Sequence, residues 1–173
     1  NNNTVLMVGT APSTVLGMVD PIPDMAAVAE DRNISFHVDA CVGGFFLPFA
    51  EKLGNAVVPW DFRVPGVTTI SADLHKFGYT AKGASVILSR DPEIYSHQVF
   101  EFGPPMRPKG YYDTPTIAGT RPGGAIAAAW AVLNYLGEDG YVRLVNQTLR
   151  YIRRFRDRIN AIEGLTVLGK PDM

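Results

Sequence analysis

Short apolar runs alternate with helix-period stretches over the first half of the chain. Thr4-Val5-Leu6-Met7-Val8 is an apolar run closed by Gly9, the pattern of a buried strand. Ala11 to Gly17 reads as a loop. Asp20-Pro21 then predicts a helix start, with the aspartate as N-cap and the proline in the first turn. Met25, Val28 and Ala29 continue one helical face toward Asn33. Ser35-Phe36-His37-Val38, closed by Asp39, predicts a second strand. Gly43-Gly44 leads into a short helix from Phe46 to Lys52, and Val64 to Gly66 marks a turn. Thr68 to Ser71 and Ser85 to Leu88 are β-branched or apolar runs that predict two more strands. Strands alternating with helices argue for an α/β layered fold with a mostly parallel sheet.

The second half changes character. Glu101 to Pro122 is rich in Pro, Gly and Tyr and reads as one long ordered loop, a kind more often functional than idle. Gly123-Gly124 opens an Ala-rich helix running to about Tyr135, and another begins near Asp139. Its apolar positions, from Val142 through Val145, Leu149, Ile152, Phe155 and Ile159 to Ile162, recur every three or four residues. Arginines at 150, 153, 154, 156 and 158 fall mostly between them, which predicts an amphipathic surface helix with a solvated basic face. Leu165 to Leu168 reads as a final strand, and no internal repeat is visible.

Composition narrows the class. The 173 residues are 46% hydrophobic and 19% charged, as a globular domain requires. Net charge is −1, from 16 basic and 17 acidic residues, which gives no reason to expect a nucleic-acid or membrane-surface partner. Cys41 is the single cysteine, so no intrachain disulfide forms, which suits a reducing compartment; a cytoplasmic setting is expected, with a membrane anchor in a preceding part of the protein as the alternative. No apolar run approaches the roughly 20 residues that span a bilayer. The chain opens close to a strand and stops soon after another, so both ends read as cut, and a piece of a longer protein is expected.

Three stretches carry candidate chemistry: His37-Val38-Asp39-Ala40-Cys41, Ser71-Ala72-Asp73-Leu74-His75-Lys76, and Thr114 through Gly124. The first two end strands with titratable groups, and ligands of open α/β sheets bind beyond the carboxyl ends of strands. Asp39 suits a carboxylate placed against a protonated pyridine nitrogen, and equally suits a helix cap or surface turn. Lys76 after a buried-looking strand suits a desolvated amine of lowered pKa that attacks an aldehyde; a solvated lysine is the plainer alternative. His75 is read either as a phosphate donor or as a satisfied core histidine. Gly119-Thr120-Arg121-Pro122-Gly123-Gly124 ends a loop and opens a helix, where free N–H groups suit a phosphate, or the glycines simply form a turn.

Taken together, HVDAC, SADLHKFGYTAKG and TIAGTRPGG, in this order and spacing, resemble the sphingosine-1-phosphate lyase branch of the pyridoxal-phosphate (PLP) dependent, group II decarboxylase family. The similarity extends over Val19-Asp20-Pro21, Gly43-Gly44-Phe45, Asp61 through Val67 and Leu136 through Tyr141, and so covers Thr4 to about Ile162. It implies the large domain of a fold type I PLP enzyme, with helices on both faces of a mostly parallel sheet. Residues 1–162 would belong to that domain and 163–173 would begin a C-terminal small domain. The resemblance also implies a homodimer with shared active sites and a small-molecule amine substrate. Lys76 would hold the cofactor as a Schiff base, Asp39 would pair with its pyridine nitrogen, Ala40 would lie against the ring, and His75 would sit near the phosphate. Gly119 and Thr120 would reach the phosphate bound by the neighbouring subunit. Lys82 would face the substrate, as would Tyr79 in the same strip.

Some features depart from the pattern. The family's upstream glycine-rich phosphate loop and ring-stacking residue lie outside this sequence, as does most of its small domain. Thr14 stands where an aromatic residue, often tyrosine, is expected near the active site. Against decarboxylating relatives, which commonly show Asn-Pro-His-Lys and Asp-Ala-Ala, this chain has Asp-Leu-His-Lys and Asp-Ala-Cys, favouring the lyase branch. The expected activity is therefore a PLP-dependent carbon–carbon lyase, with an amino-acid decarboxylase as its rival. A non-catalytic scaffold that keeps the fold is a third reading, opposed by the joint presence of Asp39, His75 and Lys76.

Overall fold

A computed structural model describes residues 3–106, 109–171 and 173. Its main sheet has four strands in the order β1 (Leu6–Thr10), β2 (Ser35–Asp39), β3 (Thr69–Asp73) and β4 (Ser85–Ser89). The first three are parallel, and β4 returns antiparallel to β3. Helix α1 (Ile22–Asp31) crosses from β1 to β2; a 3-10 turn (Gly43–Phe45) and α2 (Leu47–Lys52) lie between β2 and β3. This is the α/β arrangement expected.

The first strand starts and ends two residues later than its apolar run suggests. Gly9 does not close it but pairs with Val38 inside it. A Cβ there would come within 2.5 Å of Ile22 and 3.1 Å of the Phe36 ring, so glycine lets α1 lie tight on the strand. Asp20 does not cap α1 either; the N-cap is Pro21. Its carboxylate turns back and accepts bonds from the Thr10 N–H at 2.7 Å and the Thr10 hydroxyl at 2.9 Å, tying the helix entry to the end of β1.

Strand alternation divides the sheet into two unlike faces. One face presents Phe36, Val38 and Ile70, all buried against Ala26 and Ala29 of α1, Phe46, Leu47 and Ala50 around α2, and Val145 and Leu149. The other presents Val8, His37, Asp39, Thr69, Ser71 and Asp73 in register, and Val8 is half exposed. The polar functional groups thus share one open face, and the apolar core occupies the other.

Beyond β4 come a short helix α3 (Pro92–Ser96), capped by the Asp91 carboxylate on the Ile94 N–H at 2.9 Å, and a hairpin of β5 (Phe100–Phe102) and β6 (Tyr112–Thr114). The expected long loop therefore contains an antiparallel pair. Local alternation over three residues is too brief to distinguish from loop sequence, and the pairing is set by cross-strand aromatics such as Phe102 and Tyr112. Helix α4 (Gly123–Asn160) joins the two expected helices across a break at Gly137, where φ is 56°. Its early second-half positions Val145 and Leu149 are buried, whereas Phe155 is 69% exposed. The strand expected at Leu165 to Leu168 does not form: the segment pairs with no strand, and the Val167 N–H bonds the Asn160 side chain instead. No helix among the described residues is long and apolar enough to cross a membrane.

Candidate active site

The carboxyl ends of β2 and β3 bring Asp39 and Lys76 together through Cys41. The Cys41 N–H donates to Asp39 Oδ1 at 3.0 Å, and Lys76 Nζ donates to Cys41 Sγ at 2.9 Å. The Ser71 hydroxyl, beside Asp39 in the register, donates to the same Oδ1 at 3.2 Å. Burial alone would raise the Asp39 carboxyl, but the hydrogen bonds from Cys41 and Ser71, with the nearby His37, outweigh it and hold the group below the usual carboxylate range. Asp39 is an anchored anion, not the helix cap that sequence left open.

His37 lies one row back on the same face. Its Nδ1 is 2.9 Å from the Thr69 hydroxyl and its Nε2 is 3.1 Å from that of Ser71. Burial pushes its pKa down, opposed only in part by the Asp39 charge. Ala40, next after Asp39, is fully enclosed and offers no free surface on the open face.

Lys76 follows β3 in a tight turn. Its Nζ also contacts Asp73 Oδ2 at 3.0 Å, while Asp73 Oδ1 accepts the Ser85 hydroxyl at 2.6 Å. A lowered lysine pKa is expected from sequence, and the structure shows the reverse. The bond to Cys41 raises it, partial burial opposes, and the Asp73 carboxylate adds to the rise, because the side chain is about one-third exposed and faces an anion. Burial and the Asp39 carboxylate push the Cys41 thiol up, and the Lys76 ammonium opposes them only in part.

The turn itself is fixed from α4. Tyr141, 3% exposed, donates its hydroxyl to the Gly78 carbonyl at 2.8 Å, and its ring stacks on Phe49 with centroids 5.0 Å apart. Gly78 leaves no room for a side chain against the Leu74 backbone. Tyr79 holds φ at 59°, a left-handed conformation rare for an aromatic residue, and its ring meets Phe77 edge-on. Such strain clusters at functional sites.

His75 points Nδ1 toward the Ala84 carbonyl at 3.4 Å and Nε2 toward Asp73 at 3.7 Å. It lines a cleft of about 770 Å³ with Ser85, Ile87, Thr116, Ala118 and Arg121. The loop before α4 thus approaches His75 within one chain. Gly119 in that loop has φ 64°, and its carbonyl accepts the Thr116 hydroxyl at 3.0 Å; Thr120 follows it at the approach to α4. Lys82 is exposed in the turn between β3 and β4. His37, Cys41, Ser71 and Asp73 lie in the stretches singled out in the sequence but have no role assigned there, and Tyr141 has none either. Polar residues at every second position, 69, 71 and 73, in an otherwise apolar strand are the signal that marks this face.

A carboxylate anchored by hydrogen bonds and a lysine amine thus meet at the ends of neighbouring parallel strands of an α/β sheet. The chain belongs to the family of the pyridoxal-dependent decarboxylase conserved domain, which matches residues 1–173. Among its relatives, the sphingosine-1-phosphate lyase of Arabidopsis thaliana is 46% identical over 176 residues, covering 100% of this chain and 31% of that protein. A solved structure of the Burkholderia pseudomallei sphingosine-1-phosphate lyase superposes with a TM-score of 0.93 at 44% identity, over 98% of this chain and 38% of that one. A probable L-tyrosine/L-aspartate decarboxylase of Methanoculleus marisnigri is 40% identical, covering 99% of this chain and 43% of that protein. The chain spans about a third of the length of the lyases it matches.

Proposed function

We propose that the protein containing this chain is a PLP-dependent carbon–carbon lyase that cleaves a phosphorylated long-chain amino alcohol of the sphingosine-1-phosphate type. The observation that carries this reading is the linkage of Asp39, Cys41 and Lys76 at the ends of β2 and β3. The donor set fits the cofactor. Asp39 is kept ionised by hydrogen bonds from the Cys41 N–H, the Cys41 side chain and the Ser71 hydroxyl, and such an ionised carboxylate suits a pyridinium N–H. Lys76 supplies the amine for the aldehyde carbon. When bound, PLP supplies an electron sink for the carbanion left by bond cleavage.

The protein's own groups have distinct tasks. Lys76 would hold the cofactor through its side-chain amine, which Asp73 and Cys41 keep in position at the end of β3. Asp39 keeps positive charge on the ring nitrogen. His75, with Gly119 and Thr120 from the partner subunit of a homodimer, serves the cofactor phosphate, and Ala40 fixes the backbone beside the ring. Lys82 and Tyr79 face the substrate, where the Lys82 ammonium suits a substrate phosphate. In the cleavage, the substrate's hydroxyl loses its proton and the bond between hydroxyl-bearing and amine-bearing carbons breaks. The first carbon leaves as an aldehyde, and the second is reprotonated to give phosphoethanolamine. In this reading residues 1–162 belong to the cofactor-binding large domain and 163–173 begin the small domain.

The 40% identical decarboxylase keeps one alternative in view: loss of carbon dioxide from an amino acid. The full-length protein is to be incubated separately with sphingosine 1-phosphate and with tyrosine, aspartate and glutamate. Long-chain aldehyde and phosphoethanolamine in equal amounts, without carbon dioxide from the amino acids, is the expected result. Carbon dioxide release with no aldehyde would replace the lyase reading by the decarboxylase one.

A further inference from the structure

The open face holds a polar group that the proposed chemistry leaves unused. His37 touches neither Asp39 nor Lys76 by hydrogen bond, yet both its ring nitrogens are engaged with hydroxyls on β3. Their proton directions follow by elimination. Ionised Asp39 only accepts, so the one hydroxyl proton of Ser71 goes to Asp39 Oδ1. Ser71 then meets His37 as an acceptor, so Nε2 carries the ring proton. With the imidazole neutral, Nδ1 is a lone pair, and Thr69 must donate to it. Every link has one proton and one direction: Thr69 to His37, His37 to Ser71, Ser71 to Asp39.

We propose that His37 is a positioning residue: locked in the Nε2–H tautomer, it turns the Ser71 hydroxyl onto Asp39 Oδ1 and so orients the Asp39 carboxylate toward the cofactor's pyridine nitrogen. This rests on the PLP reading given above. The ladder sits within β2 and β3, so the strand register sets the carboxylate angle. Without the histidine, the Ser71 proton is free to rotate to another acceptor, and Asp39 keeps only its hydrogen bonds from Cys41. Hydrogen bonds in such a chain also strengthen one another.

The test uses full-length holoenzyme reconstituted with PLP labelled with nitrogen-15 in the ring, and reads the pyridine nitrogen by NMR against pH, together with PLP affinity. Three single variants and one double separate the relay from packing. His37→Gln places an amide N–H near the Nε2 position and should keep wild-type behaviour. His37→Asn mimics only the Nδ1 side, and Ser71→Ala removes the acceptor. Each should lower the pH at which the ring nitrogen loses its proton by on the order of one unit and weaken PLP binding by roughly three- to tenfold. Because they break the same path, the double variant His37→Asn/Ser71→Ala should be no worse than either single one. Additive losses, or a His37→Gln variant as impaired as His37→Asn, would overturn the relay and leave His37 a packing residue. A normal ring nitrogen in Ser71→Ala would do the same, and that variant, with the histidine intact, does not depend on how the strand tolerates a change at 37. Wild-type protein that binds no PLP would instead overturn the functional reading, a distinct outcome.

Discussion

At the scale of single residues, the proposed chemistry rests on Asp39 and Lys76, and their neighbours set its conditions. Asp39→Asn is nearly isosteric and should fold, but the ring nitrogen loses its anionic partner, and turnover should fall by on the order of 10²–10³; steady-state assay of the purified variant checks this. For Lys76 the cofactor-free state matters. Its raised pKa keeps the amine charged at neutral pH, so the reactive fraction, and with it the rate of PLP capture by apoenzyme, should climb as pH rises toward that pKa. Asp73→Asn removes one anion that favours the ammonium, and should move the capture profile to lower pH and speed capture at pH 7. A profile shifted upward would mean that Asp73 assists deprotonation rather than holding the charge. Asp39 and Lys76 were legible in the sequence because titratable residues stand out just past apolar strands. Ser71, Asp73 and His37 were not, since their bonds run between strands and depend on a register that no local pattern specifies.

At the scale of elements, the lysine turn depends on a helix far along the chain. Tyr141 reaches back from α4 to the Gly78 carbonyl. Tyr141→Phe keeps the ring stack on Phe49 and removes only the hydroxyl, leaving a buried carbonyl unpaired at a cost of about 1–3 kcal/mol. A lowered denaturation midpoint, with Lys76 captured more slowly by PLP, is expected; unchanged stability would mean that the turn stands without α4. All four strands of the main sheet, α1 and α2 were legible from apolar runs punctuated by glycine and proline. Their ends were less so: the role of Asp20 turned on a tertiary bond to Thr10, which outcompeted the local cap. The β5–β6 hairpin and the join of two helices at Gly137 likewise depend on contacts beyond a reading window.

At the scale of the whole molecule, the open sheet face and the apolar end of α4 carry much exposed apolar surface, including Val8, Ile87 and Phe155. The proposed homodimer, with Gly119 and Thr120 serving the partner's phosphate, makes a definite demand. Thr120→Glu sets a negative charge against that phosphate and should weaken PLP binding. Mixed with Lys76→Ala chains, it should form heterodimers with one site free of both lesions, since each site draws on both chains. Activity should then rise above that of either parent alone. Heterodimers that form and stay inactive would place the loop in its own chain's site, beside His75, where the cleft already brings it.

The central claim, that Lys76 is the cofactor lysine, is tested most directly by borohydride reduction of the full-length holoenzyme followed by peptide mapping. One pyridoxyl label per chain, on the Lys76 side chain, and none after Lys76→Ala, is the predicted result. A label on Lys82 or any other lysine, or its persistence in Lys76→Ala, would contradict the account.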